Sequence, residues 1–333
     1  MTTRTALVTG ATGYVGGLVV EKLLEDGWNV RTLSRSPEKL KSHAWHDRVE
    51  TVAGDATNAD DVARAMQGAD VAWYLLHSMG SGDDFAKRDA QMAEVFAHAA
   101  KAEGVQRIIY LSGLHPDEEL SEHLASRVEV GEKLMASGVP TAVLQAAVVL
   151  GNGSISFTML KQLAERLPGG VAPKWINNRI QPIAARDVLY YLVAAAGLPA
   201  DVNRTFDIGG PDVLTYSGMM AQYGEALGFR SGPIFTAPVT TPGLAAHWIG
   251  LVTDIDTAMA KPLVGSLLHD TVVLERDIDD YIPRPPGGLM GFDDAVREAA
   301  EGLPSNTWVR TAFYTAGVVG LIAASAILRG MRH

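Results

Sequence analysis

The sequence contains no cysteine among its 333 residues, which excludes disulfides, thiolate zinc sites and a cysteine nucleophile and fits a reducing compartment. It has no excess of positive charge: 28 Lys and Arg stand against 38 Asp and Glu, a net charge of -10. Nucleic acid is therefore not an expected partner, because phosphate backbones are held by clustered basic side chains. It also lacks a Gly-x-Ser-x-Gly elbow, a His-Glu-x-x-His helix and a Walker lysine motif, so the chemistries those patterns serve find no support. His43 and His46 lie three apart near Asp47, but no set of carboxylates converges on them and no metal site is expected. No charged-then-apolar leader precedes Thr5; a cleavable secretion signal is not expected, and a cytoplasmic location is.

What the sequence does have begins at Thr5. The apolar run Thr5-Ala-Leu-Val-Thr9 feeds a turn with glycine at Gly10, Gly13 and Gly16, and Val15, Leu18, Val19, Leu23 and Leu24 then recur at helical spacing up to Gly27. A strand turning sharply into a helix aims free backbone N–H groups and the helix dipole at one point, which suits a pyrophosphate. Gly10 permits the turn, Gly13 removes a side chain from the phosphate's path, and Gly16 lets helix and strand approach. Gly10, Thr12, Gly13, Tyr14, Val15 and Gly16 are accordingly read as dinucleotide-binding residues.

Apolar runs at Val30 to Leu33, Val49 to Ala53, Val71 to Leu76, Ile108 to Leu111 and Thr141 to Leu150 alternate with helical patterns at Asn58 to Gln67, Asp83 to Glu103 and Ser121 to Ala136. That alternation predicts a doubly wound parallel sheet of the Rossmann type, with chemistry at the strand ends. After the second strand there is no acid to receive a ribose diol, whereas Arg35 suits a 2'-phosphate, so NADP(H) is favoured over NAD(H); the alternative is a solvated Arg35 before a helix capped by Ser36 with Pro37 in its first turn. Asp55, followed by Ala56, either accepts from the adenine amino group or caps its loop. His77, after the fourth strand, falls beside the expected nicotinamide ribose.

Four segments, Thr9-Gly-Ala-Thr-Gly-Tyr-Val-Gly16, Gly54-Asp55, Tyr110-Leu-Ser-Gly113 and Gln181-Pro-Ile-Ala-Ala-Arg-Asp-Val188, together resemble the short-chain dehydrogenase/reductase superfamily, and more narrowly its atypical, NmrA-like NAD(P)-binding members. The resemblance covers about residues 4 to 230 and implies a Rossmann fold with a small C-terminal substrate lobe. It places Ser112 where the family polarises its substrate. It also exposes a departure, because active members carry a Tyr and a Lys four residues later, and none of the nine tyrosines here has Lys at that position. The corresponding helix offers His123 and Arg127 instead. His123 is either a proton shuttle or an exposed helix histidine, and Arg127 a ribose or phosphate ligand. Two functions follow: an NADP(H)-dependent oxidoreductase acting on a carbonyl, quinone or small lipophilic substrate, or a nucleotide-sensing protein that signals through a protein partner without turnover.

Residues 1–150 are thus expected to form the dinucleotide-binding core and 151–306 to complete the sheet and build the lobe. In the latter, Thr205 to Ile208 reads as a strand and Tyr216 to Leu227 as a helix. Trp175, Asn177, Arg179 and Gln181 are candidates to line the pocket, while Arg186 and Asp187 are expected to pair and to cap the next helix. Apolar helical stretches at Thr241 to Leu251 and Thr257 to Leu268 suit either a lipophilic pocket or a core. In 307–333, the uncharged run Thr311 to Leu328 is either a membrane-anchoring helix or an apolar helix docked on the lobe.

Overall fold

Strands buried on both faces do not need alternating polar residues, and the continuous apolar runs of this chain form the interior of one parallel sheet. The computed structural model describes residues 3–77, 85–115, 120–167, 170–228, 234–237, 248–250 and 252–304. In chain order the strands are β1 (Thr5–Thr9), β2 (Asn29–Ser34), β3 (Glu50–Ala53), β4 (Val71–Tyr74), β5 (Arg107–Gly113), β6 (Thr141–Ala146), β7 (Val149–Leu150), β8 (Gly170–Pro173), β9 (Arg179–Ile180), β10 (Ile183–Ala184), β11 (Arg204–Ile208), β12 (Leu214–Thr215) and β13 (Ile234–Ala237). Seven of them pair in parallel in the order β3-β2-β1-β4-β5-β6-β11. Strand order reverses between β1 and β4, so the loops leaving these two neighbours diverge and open a crevice at the sheet's C-terminal edge.

The expected run Thr141 to Leu150 is not one strand. It leaves the sheet after Ala146, and Val149–Leu150 pair instead with Ile183–Ala184. Main-chain bonds from Leu114 N to Ala146 O and from Ile183 N to Val148 O, both 2.9 Å, hold the bend. An apolar run cannot reveal it, because both halves are buried.

Helices cover both faces. α1 (Tyr14–Glu25) and α6 (Ala185–Ala194) pack on one side, sharing a core with Val8, Trp73, Ile109 and Leu144. α2 (Ala59–Met66), α3 (Phe85–Ala102) and α4 (Glu122–Met135) cover the other, over Leu7, Ala72, Ile108 and Tyr110. The neighbours Leu7 and Val8 thus feed opposite cores, as the two-residue period of a strand requires. Asn58 and Ser121 cap α2 and α4 through their side-chain oxygens. Ser36 does not act in this way: Pro37–Ser42 is a short 3-10 helix without a side-chain cap, and the Ser36 N–H donates to Ser34 Oγ at 3.2 Å. At the start of the interior strand β5 the buried Arg107 donates to the carbonyls of Leu198, Pro199 and Val202, closing the loop before the edge strand β11, which apolar patterning cannot foresee.

The remaining helices, α5 (Ile155–Arg166), α7 (Tyr216–Ala226), α8 (Thr257–Leu267) and α9 (Phe292–Ala300), gather around a separate core of Phe157, Leu160, Leu163, Tyr216, Tyr223, Val264 and Val296. Among the described residues no helix is long and apolar enough to cross a membrane. The run Thr311 to Leu328, and most of Thr241 to Leu251, lie outside the described residues.

Asp187 links α6 to this lobe in a way that differs from expectation. It does meet Arg186, 3.5 Å away, but α6 is preceded by Ala184 with no side-chain cap. The buried carboxylate instead accepts from Met290 N at 2.8 Å, and burial raises its pKa. Because an N–H stripped of its acceptor inside a protein costs ~1–3 kcal/mol, Asp187→Ala should lower the free energy of unfolding by about that amount. Asp187→Asn, which keeps an acceptor oxygen, should lose less when the two are compared by urea denaturation.

Candidate functional site

The glycine turn tests directly whether a dinucleotide fits. Gly10 has φ +77°, and a β-carbon on it would stand 2.3 Å from Leu75 O; one on Gly16 would stand 2.2 Å from Gly10 O. Both positions are closed to any side chain by backbone. Gly13 is different, since its β-carbon would meet only Gly10 O, at 3.2 Å, leaving open space above the start of α1. No side chain caps α1 and no acid stands in its first turn, so its leading N–H groups and positive dipole end are left to an anion. The diphosphate of a dinucleotide fits this cradle.

From that turn a cavity of about 410 Å³ runs into the lobe. Gly10, Gly13, Tyr14, Val15 and Gly16 line one end, with His77, Ser112, His123 and Arg127 beyond them. Ala146 to Val149, delivered by the bend after β6, form an apolar side, and Met259, Leu263, Leu267 and Thr271 come from the lobe. Within α8 the spacing 259, 263, 267 puts three apolar residues on one face of the helix, while Val264 belongs to the lobe core. Leu263 and Leu267 also pack with the lobe core, so this helix joins core and cavity lining. Tyr14 stands against the 151–153 turn, where a β-carbon on Gly151 would lie 2.0 Å from its hydroxyl; burial, reinforced by Glu298, pushes that phenol up to about 12.

The end of the cavity holding Ser112, His123 and Arg127 is built by β5 and α4. Ser112 is 3 % exposed and its hydroxyl has no hydrogen-bond partner. The Tyr110 phenol, two residues back on the same face of the strand, is close enough to interact with it but is aligned to donate to Arg127 O, at 3.3 Å. One turn along α4, Arg127 Nε donates to His123 Nε2 at 3.3 Å, and Arg127 Nη1 donates to Leu111 O at 3.3 Å. The Nε2 lone pair is thereby occupied, which assigns the imidazole hydrogen to Nδ1. His123 is half-buried; that burial, with the Arg127 charge second, pushes its pKa down to about 4. His77, just after β4, is depressed by the same two influences and by His123, but its side chain is exposed and water screens it.

Not every expected site residue meets this cavity. Thr12 is exposed at the turn, and Arg35, Asp55 and Ala56 stand outside the cavity lining, at the ends of β2 and β3. Asp55 Oδ1 accepts from Thr57 N and Oγ1, each at 2.9 Å, which is the loop-capping alternative; those bonds lead the causes that hold its carboxyl below the usual range, with Arg35 and Arg88 adding to them. His43 stacks on Trp45 and His46 meets Asp47.

The stretch expected to line the pocket braces it from behind. Trp175 is buried in the lobe core. Asn177 accepts from Ser217 Oγ, outside the cavity lining; its neighbour Asn178 donates to Leu267 O, Arg179 pairs with Asp270, and Gln181 bonds both Gly210 O and Val273 N. The wall itself, 146–149 with Thr271, carries no signal in the sequence beyond apolar runs and an isolated threonine.

The depressed imidazole has a thermodynamic consequence. Unfolded His123 binds a proton near pH 6.5 whereas the folded residue waits until about 4, so the unfolded state holds more protons between those values. Stability should be full above pH 6.5 and decline as pH falls toward 4. Urea unfolding of His123→Gln at pH 7 and pH 4.5 should show a smaller acid loss than the native sequence.

Residues 10–163 match a family described as NAD(P)H-binding. Ceramide reductase of Caulobacter vibrioides is 28% identical over 317 residues, spanning 90% of this chain and 96% of that protein. A Streptomyces griseus enzyme, (4-alkanoyl-5-oxo-2,5-dihydrofuran-3-yl)methyl phosphate reductase, is 29% identical over 224 residues, 67% and 73% of the two chains. Among solved structures, Citrobacter sp. triphenylmethane reductase complexed with NADP(H) superposes with a TM-score of 0.65 at 17% identity, covering 89% of this chain and 99% of that one. Residues 10–163 thus carry a region matching the NAD(P)H-binding family, with the glycine cradle and switch-point cavity such a region needs, and the chain as a whole is similar to reductases over most of its length.

Proposed function

We propose that this protein is an NADP(H)-dependent reductase of lipid-like carbonyl compounds. The observation that carries the reading is the Ser112 hydroxyl, buried without a partner on the wall of a cavity that opens on one side to the glycine cradle and is otherwise largely apolar. A hydroxyl left unpaired inside a protein is unfavourable unless a ligand supplies its partner. A carbonyl oxygen is such a partner, and the apolar sides suit an alkyl or acyl chain. The reductase names of the two relatives support the same direction.

A nicotinamide dinucleotide held by the Gly10-to-Gly16 turn and the uncapped start of α1 would supply the hydride that a carbonyl carbon accepts. Ser112 donates to the carbonyl oxygen, where negative charge grows, turning about its Cα–Cβ bond to do so. His123, neutral at physiological pH, has its proton on Nδ1 and acts as a second donor or as an orienting group rather than as an imidazolium acid. Arg127 holds that imidazole in place with Nε and adds fixed positive charge beside the developing oxyanion. The proton that completes the alcohol comes from solvent, with His77 as the titratable group at the exposed rim. Arg35 at the end of β2 is the ligand for the 2'-phosphate, which is the basis for preferring NADP(H).

A second reading rests on one fact, the absence of the Tyr and Lys pair: a protein that binds the dinucleotide tightly and signals to a protein partner. NADPH oxidation against a panel of long-chain ketones, aldehydes and quinones, run beside cofactor-binding calorimetry, separates the two. Turnover of the ketones is the expected result, and tight binding without turnover of any compound would establish the sensor. Ser112→Ala should reduce kcat by roughly 10²-fold with NADPH affinity nearly unchanged; equal turnover would remove Ser112 from the mechanism. Arg35→Ala should weaken NADPH binding by about tenfold or more while leaving NADH binding close to its original value.

A further inference from the structure

Five threonines are buried among the described residues: Thr9, Thr32, Thr141, Thr253 and Thr271. Four of them bond within the fold. Thr9 donates to Trp73 O, Thr32 to Thr51 Oγ1, Thr141 to Leu134 O and Val139 O, and Thr253 to Ile249 O. Thr271, 3 % exposed, is the one whose hydroxyl has no partner. Of the buried side-chain polar atoms without a partner, only those of Ser112 and Thr271 belong to residues that line the cavity. One comes from the sheet and the other from the lobe.

Thr271 is also held firmly in position. Its N–H donates to Arg179 O at 2.8 Å, and its carbonyl accepts from Gln181 N at 2.9 Å. On either side, Asp270 receives Arg179, and Val273 N donates to the Gln181 amide oxygen. Its lobe neighbours in the lining include the apolar Met259, Leu263 and Leu267 together with Ser266. A valine of the same shape would satisfy this packing without leaving a hydroxyl unpaired, so the fold itself supplies no use for the oxygen.

We propose that Thr271 is a specificity-determining residue that bonds a second polar group of the substrate, a hydroxyl or an amide carried near the reacting carbonyl. This rests on the carbonyl-reductase reading and narrows it. Ser112 takes the oxygen to be reduced, the lobe wall takes the chain, and rotation about the Thr271 Cα–Cβ bond, among staggered positions of similar energy, turns its hydroxyl toward the second group. The preferred substrate is a polar-substituted long-chain ketone rather than a simple one.

The test compares a straight-chain methyl ketone with the same ketone carrying a hydroxyl on its methyl carbon, using the full chain and NADPH. The native sequence should prefer the hydroxyketone in kcat/KM. Thr271→Val should lower the ratio of the two values by about tenfold, Thr271→Ser should restore it, and the melting temperature of Thr271→Val should be no lower than that of the native chain. An unchanged ratio overturns the proposal. So does a lowered melting temperature in the valine variant, because the hydroxyl would then serve the fold. If the native chain reduces neither ketone, the carbonyl-reductase reading has failed by itself. Calorimetric binding of the two ketones to the NADP+-loaded protein then decides on Thr271: tighter binding of the hydroxyketone that Thr271→Val abolishes supports its role, and equal binding overturns it.

Discussion

Two main-chain approaches, too close for any side chain, fix where this protein can hold a ligand. Gly10 lies against the carbonyl of Leu75 and Gly16 against the carbonyl of Gly10, so β1, the loop after β4 and the first turn of α1 are brought to one point. Everything that follows is set by that point: the direction in which α1 aims its free N–H groups, the position of His77 just after β4, and the distance left for β5 and α4 to fill. A single methyl at either glycine would separate strand from helix and close the crevice from within.

The chemistry around this point is arranged in two tiers. Ser112, His123 and Arg127 face the cavity, and Arg127 orients His123 while reaching back to Leu111 O. Behind the lobe wall, Asn178, Arg179 and Gln181 do the same for residues 267–273. The first tier stands on a strand and a helix, β5 and α4, which is the kind of support that keeps donors pre-aimed, whereas the second works through side chains beside the short strand β9. In the lobe, moreover, Gly265 packs against Ser121, the N-cap of α4, where a β-carbon would sit 3.4 Å from that of the serine. The helix that carries His123 and the helix that covers the cavity are therefore direct neighbours.

The sheet was legible because it is made from signals that are local. Six of the seven strands correspond to apolar runs, β11 being the alternating exception, and the helices between them announce themselves through residues such as Asn58 and Ser121. The glycine turn was legible for the same reason, since strand, turn and helix lie within one short stretch of chain. What was hidden depends on partners far away in sequence. Nothing about Gln181 says that its amide will join Gly210 to Val273, and nothing about Asp187 says that it will receive Met290 rather than cap its own helix. The break after Ala146 was invisible because burial on both sides of a bend looks like one strand. Ser112 and His123 could be singled out by place and resemblance, but their burial and the Arg127 contact needed the folded chain.

The double tether on residues 267–273 bears on how far the cavity can change shape. A wall bound through Asn178, Arg179 and Gln181 cannot swing aside without breaking several bonds together, and the bend at 146–149 is pinned through Ala146 and Val148. Along α8, by contrast, Met259 is 39 % exposed while also facing the interior, and its unbranched thioether can change shape at little cost. That thioether is accordingly the pliable part of a lining otherwise held on tethered main chain.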